Sequence, residues 1–287
     1  HQAVPRDYPA LASEAADRAL GLNPGLAFAY AVRGFSAVIE PGGDYIFAME
    51  QLERGMELEP GNVTIVHWYG ILLRELGYVS QALEYFDKCA VLDPAFGNCM
   101  EHRARTLMFL GRYDEALDEW NKLPGEFARV VPFEVFDAFA IAKTGSSYAA
   151  RVFLSESFKE LPDFPAKSWV TIVQNEKNRS SLESKKFERW LDEDDKEAIL
   201  LSSSQGKDFL TFLHLSIGAY EKVDSESLSL GPGNVKGIWM KQFADFQKTP
   251  QFKKIVQNMN FLPNWQAKGF PPGCRAVGDN DFECGNP

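Results

Sequence analysis

Gly70-Ile71-Leu72-Leu73-Arg74-Glu75-Leu76-Gly77-Tyr78-Val79-Ser80-Gln81-Ala82-Leu83-Glu84-Tyr85-Phe86, closed by Asp93-Pro94, is a stretch whose punctuation recurs along the chain. Gly77, Gly111 and Gly145 stand 34 residues apart, and Ala82, Ala116 and Ala150 follow them at a constant five. Segments 63–96, 97–130 and 131–164, laid under one another, place a small residue at the eighth position, Gly70, Ala104 or Ala138, where two helices must approach closely. The glycine at the fifteenth position closes a first helix in a left-handed conformation that a Cβ resists. Phe86, Trp120 or Leu154 occupies the twenty-fourth position of a second helix, and Pro94 or Pro162 at the thirty-second stops it. A period of this length means stacked helix-turn-helix units, each too small to bury its own apolar face and so sharing a core with its neighbours.

The middle copy carries Ala128 in place of the proline and Pro124 four residues earlier, so its second helix is expected to end early. Upstream, Tyr30 and Gly34 fit a first helix and Ala48, Leu52 and Pro60 a second, with two residues inserted around Glu40-Pro41-Gly42-Gly43. Ala12, Ala16, Ala19 and Pro24 fit a second helix alone, so the chain is expected to begin inside a unit, as a piece of a longer protein would.

Gly70, Gly77, Ala82, Phe86 and Pro94, with their echoes, resemble the tetratricopeptide repeat. The resemblance implies an all-α fold, a right-handed superhelix or α-solenoid, with a repeat array over residues 1–164 whose first unit is truncated. It also implies that first helices line a concave face through the second, fifth, ninth, twelfth and thirteenth positions. Those positions hold Phe28, Phe35, Val38 and Ile39, then Thr64, His67, Ile71, Arg74 and Glu75, then Asn98, Glu101, Arg105, Met108 and Phe109. The candidate ligand contacts among them are Phe28, Phe35, His67, Ile71, Arg74, Glu101, Arg105 and Phe109. Such a groove is apolar at its N-terminal end and mixed in charge toward the middle, which suits an extended peptide or an amphipathic helix. Where some members hold a partner's carboxylate with lysine and asparagine, at the fifth and ninth positions, this chain has His67 and Ile71, then Glu101 and Arg105.

Over residues 165–230 the 34-residue register fades into an irregular helical region. Trp169 to Gln174 and Phe209 to Tyr220 read as apolar helices, and Glu183 to Leu191 as an exposed helix with Phe187, Trp190 and Leu191 on one face. Asp192-Glu193-Asp194-Asp195 reads as a solvated turn or cap, since four consecutive acids do not share a helical face. Residues 231–287 are expected to form capping helices and a cysteine-containing tail, after the chain break at Gly231-Pro232-Gly233. The run Trp239…Phe243…Pro250-Gln251-Phe252…Phe261, closing on Trp265…Phe270-Pro271…Cys274…Cys284, resembles the terminal element of membrane-anchored bacterial one-component regulators and class III cyclases. That resemblance implies a sensing role outside the cytoplasm, with an output domain that this sequence does not contain.

Forty acids against thirty bases leave a net charge of −10, which opposes contact with nucleic acid and with anionic lipid. No apolar run reaches the roughly 20 residues of a membrane span. The four cysteines fall into two pairs ten positions apart, Cys89 with Cys99 and Cys274 with Cys284. Antiparallel neighbours joined by a short turn can bring the first pair within bonding range, and a bridge is the direct way to order a tail rich in glycine, proline and aspartate. Four reduced thiols and a zinc site are the alternatives, the latter poorly matched by the spacing. Bridges imply an oxidising compartment such as the bacterial periplasm, and reduced thiols the cytoplasm.

The sequence contains no nucleophile elbow, zinc-protease helix, phosphate loop or dinucleotide fingerprint. Ser155 and Ser157 have no identifiable histidine partner, and Glu101-His102 lacks the flanking histidines of a metalloprotease helix. The glycosylation patterns at Asn62 and Asn178 are expected by chance in a chain of this length. No enzyme activity and no cofactor are expected. The function expected is a protein- or peptide-binding sensor domain of a bacterial signalling protein, with a self-associating structural adaptor as the alternative.

Overall fold

The computed structural model describes residues 8–39, 42–123, 133–157, 163–175, 177, 179, 181–192, 204–223 and 237–285. Pro124, Ala128, Pro162, Asn178, the acids 193–195 and the break at 231–233 lie outside them. The architecture is an all-α solenoid of helix pairs, with one short two-stranded ladder near the C-terminus. The chain divides into two compact units, residues 1–99 with 230–235 and 253–287, and residues 100–229 with 236–252.

In the first unit the helices are α1 (Tyr8–Leu22), α2 (Ala27–Ser36), α3 (Tyr45–Leu58), α4 (Val63–Glu75) and α5 (Val79–Leu92). Helices α2 with α3, and α4 with α5, are the hairpins, and each is packed on the one before it. As the sequence requires, α1, α3 and α5 each end two residues before a proline, Pro24, Pro60 and Pro94. The residues preceding Pro60 and Pro94, Glu59 and Asp93, have φ of −134° and −144°, the extended backbone that a following proline enforces. The hydrogen bonds of these turns repeat: Asn23 N–H to Ala19 O and Leu26 N–H to Asn23 O, then Glu59 to Gly55 and Asn62 to Glu59, then Asp93 to Cys89 and Phe96 to Asp93.

The turn inside each pair is set by its glycine. Gly77 has φ of 90°, its N–H bonds Arg74 O, and the next N–H, of Tyr78, reaches back to Leu73 O, which satisfies carbonyls the helix end leaves open. The eighth-position reading holds: a Cβ on Gly70 would stand 2.9 Å from the ring of Phe86, the residue at the twenty-fourth position. Ala82 and Phe86 are fully buried, and interring one phenylalanine side chain contributes about 1.5–3 kcal/mol. Arg33 joins the first three helices. It stacks over Tyr30 and Phe47 and donates to Asp17 on α1 and Gln51 on α3.

Helix α6 (Gly97–Phe109) crosses the division between the units, and the second unit continues with α7 (Tyr113–Trp120), α8 (Phe133–Lys143) and α9 (Ser147–Ser157). Gly111 repeats the turn of Gly77, with Arg112 N–H on Leu107 O. The middle second helix does end early: α7 has 8 residues where α5 has 14. Beyond residue 164 the register fades but helix pairing does not. Helix α10 (Ala166–Gln174) packs on α8 and α9, α11 (Leu182–Leu191) on α10, and α12 (Ser204–Ile217) on α10. Phe187, Trp190 and Leu191 share the buried face of α11. Helix α12 starts five residues before the expected Phe209 and stops short of Tyr220, because Gly218 turns the chain with φ of 81°. Phe139, Phe212 and Phe243 meet edge to face at its centre, and the Trp169 indole donates to Ser216 Oγ at 2.8 Å.

Helix α13 (Pro250–Asn258) opens on a proline, whose missing N–H costs nothing at a helix start. Helix α14 (Leu262–Lys268) and the ladder of β1 (Arg275–Ala276) with β2 (Phe282–Glu283) then complete the first unit, where α14 packs on α3. Among the described residues no helix is long and apolar enough to cross a membrane.

Candidate interaction surface

Of the row expected to face a ligand, the structure opens the N-terminal end. Phe28, on α2, is 46% exposed, and Phe35 one face further along is half-buried. Both meet Trp68 of α4: Phe35 stacks on the indole at 4.6 Å with 21° between planes, and Phe28 tilts against it at 5.6 Å. Three rings thus span two neighbouring first helices. Trp68 is at the sixth position of its segment, one place off the expected row, and was missed for that reason. Its signal was a tryptophan on a helix that already had enough apolar residues to fill its core face.

The remaining candidates in the first unit are inside. His67, Ile71, Arg74 and Glu75 are all buried. The His67 ring stands edge-on to Phe96 at 5.6 Å and tilted to Phe86 at 6.0 Å. Burial, with the Arg74 charge as a second cause, pulls its pKa down to about 4, so at neutral pH it packs as an uncharged ring. The Arg74 guanidinium lies over Phe86 at 5.6 Å, a cation–π contact formed out of water. Glu75 raises the already elevated pKa of Tyr45, whose main perturbation is burial.

In the second unit Glu101 and Arg105 are buried and paired with each other at 2.5 Å, with His102 at 3.4 Å from the same carboxylate. Acid and base one turn apart on one face neutralise each other, so this part of the row carries little net charge toward a ligand. Phe109 and Met108 are core residues and Asn98 is exposed. On the neighbouring helix Glu119 receives both Arg103, at 2.8 Å, and Lys122, at 2.6 Å.

Both cysteine pairs are brought within bonding distance, with Cα atoms 5.8 Å apart for Cys89–Cys99 and 4.0 Å for Cys274–Cys284. Cys89 and Cys99 are fully buried against Val66, with Met56, Val63, Tyr85 and Phe96 around them. Among the described residues no three histidine, cysteine or acidic side chains gather as a metal site would need.

The C-terminal segment seats on the inner turns of the first unit. Trp265 Nε1 donates to Leu76 O at 2.9 Å, Tyr78 Oη donates to Gly269 O, and Asn260 reaches the carbonyls of Gly42 and Gly43. Phe261 meets Tyr45 edge to face at 5.0 Å. Tyr78, buried under these contacts, has its pKa pushed up to about 12 by burial.

No family model matches the chain, and no curated protein does. Among solved structures, a tetratricopeptide repeat protein from Parabacteroides merdae ATCC 43184 is similar over 88% of this chain and 93% of that one, with 13% identity and a TM-score of 0.48. The fold assignment rests on the helix pairs and turns of this chain.

Proposed function

We propose that the chain is a non-enzymatic interaction scaffold that takes a protein or peptide along its first helices. We further propose that it is the sensing part, outside the cytoplasm, of a bacterial signalling protein. The observation that supports the binding reading is the Phe28–Trp68–Phe35 ring cluster. Three aromatic rings on adjacent helices, one of them 46% exposed, offer rigid apolar area at low entropic cost, which is how peptide grooves gain affinity. The buried His67, Ile71 and Arg74 anchor α4, the helix that carries Trp68. A net charge of −10 favours a protein partner over nucleic acid. The two cysteine pairs support an oxidising compartment.

Panning a random peptide display library against the full chain tests this reading, with the Phe28→Ala/Trp68→Ala variant as counter-selection. Enrichment of apolar or aromatic peptides that bind the parent chain and not the variant supports it. Failure to enrich any peptide, or equal binding by both, refutes it.

The alternative reading, self-association, is favoured by Tyr148 and Val152 in the second unit. They lie four residues apart on α9 and are 74% and 45% exposed. Sedimentation velocity of the chain, and of its Tyr148→Ser/Val152→Ser variant, separates the two readings: a concentration-dependent oligomer lost in the variant is the adaptor's signature.

A further inference from the structure

The two disulfides of the first unit are placed differently toward a reductant. Cys89 and Cys99 are both fully covered, inside an apolar cluster. In the other pair Cys284 is buried but Cys274 is half-buried, at the foot of a ladder whose turn is exposed over residues 277 to 280. The second pair is also coupled to packing. It clamps the ends of the β1–β2 ladder, and the ladder presents Phe282 to the Trp265 ring edge-on at 5.2 Å. Trp265 is the residue whose indole donates to Leu76 O, and it also leans on Phe261, which meets Tyr45. Lys253 covers the outer side of Phe282 and pairs with Asp281 at 2.6 Å.

We propose that Cys274–Cys284 is a thiol-sensitive latch, opened by a dithiol reductant while Cys89–Cys99 stays closed, and that opening it loosens the C-terminal segment from the turns at Gly42-Gly43 and Leu76-Gly77-Tyr78. A thiolate of the dithiol attacks the Sγ of Cys274, the more exposed residue of the pair, forming a mixed disulfide and releasing Cys284 as a thiolate that takes up a proton. The second thiol of the reductant then displaces Cys274. Two electrons pass to the cysteine pair, and the reductant leaves as a disulfide. Without its clamp, the ladder has only two residues per strand to hold Phe282 against Trp265, too little pairing to persist alone.

The test uses dithiothreitol on the oxidised chain under native conditions, with iodoacetamide trapping, peptide mapping and parallel amide hydrogen exchange. Alkylation of Cys274 and Cys284 is expected at reductant concentrations roughly tenfold or more below those that open Cys89 and Cys99. Faster exchange over residues 260–285 and at Leu76–Tyr78 should accompany it. Opening of both pairs together, or opening of the tail pair with exchange unchanged, overturns the proposal. The Cys274→Ala/Cys284→Ala variant provides the second reading: raised exchange in the same segments without reductant is expected, and protection equal to that of the oxidised parent overturns it.

Discussion

Gly34→Ala, measured against Gly21→Ala, tests the packing of the solenoid directly. Both glycines lie in helices, α2 and α1, and in a helix alanine is favoured over glycine by up to about 1 kcal/mol. At Gly21 a Cβ meets nothing within 4 Å, so the whole gain, reduced somewhat by its place in the last turn, should appear as stability. At Gly34 the same Cβ would stand 2.7 Å from Gln51 Cβ and 2.8 Å from Ala48 O. Neither is the tip of a flexible side chain. Helices α2 and α3 must therefore part by several tenths of an ångström along their contact, and such overpacking costs about 1–3 kcal/mol. The propensity gain offsets part of this, leaving Gly34→Ala destabilised by roughly 1–2 kcal/mol and Gly21→Ala stabilised by about 0.5 kcal/mol or more. Because helix pairs are stabilised by their neighbours, the loss should lower the midpoint of the unit, read by circular dichroism in guanidinium and by thermal melting. If Gly34→Ala matched the parent chain or exceeded Gly21→Ala, the close approach of α2 to α3 and the eighth-position register would both be wrong.

Ala116→Leu, at a fully buried twentieth position, should cost about 1–3 kcal/mol in the second unit, and an unchanged melting curve would count against the assignment of α7. Trp265→Phe keeps a ring in place but removes the donor to Leu76 O, and should lose about 1–2 kcal/mol in chemical denaturation, with amide exchange rising in residues 262–269. For pH, His67 and His214 are both buried and both held down to about 4 from 6.5, burial first in each case, followed by Arg74 for the former and Lys222 for the latter. The unfolded chain binds these protons first, so stability is complete above about 6.5 and falls as pH drops toward 4, by up to about 3 kcal/mol per histidine. His67→Phe should flatten part of that fall in denaturation curves at pH 4.5 and 7.5. A slope as steep as that of the parent chain would assign the loss to other groups.

The repeat was legible because its signals are steric: Gly77, Gly111 and Gly145 have positive φ, and Pro24, Pro60 and Pro94 end helices wherever they stand. The pairing of α10 with α11 was not, because after residue 164 the pairs survive with different punctuation. Gly218 turns the chain outside the 34-residue register, and packing falls to phenylalanines such as Phe212 that any helical core would use. The candidate surface was legible only in part. Position within a repeat predicts which way a residue points on its own helix, as at the exposed Phe28, but not which residues the rest of the fold will cover. His67, Arg74 and Glu101 look like ligand contacts by type, and their burial depends on neighbours that helix positions do not reveal. The seat of Trp265 on Leu76 joins residues 189 positions apart, beyond any local pattern.

That seat has a consequence for how the protein is made. Residues 8–99 leave the ribosome before residues 253–285, yet both belong to the same unit. At about 5–20 residues per second, the nascent first unit waits on the order of 10–30 s for the segment at 253–285. During that time Leu76 O, Tyr45 and Tyr78 lack the partners that later cover them, so helices made early are finished late. A stalled or truncated message would release a chain with those turns bare, a substrate that chaperones and proteases can tell from the completed protein.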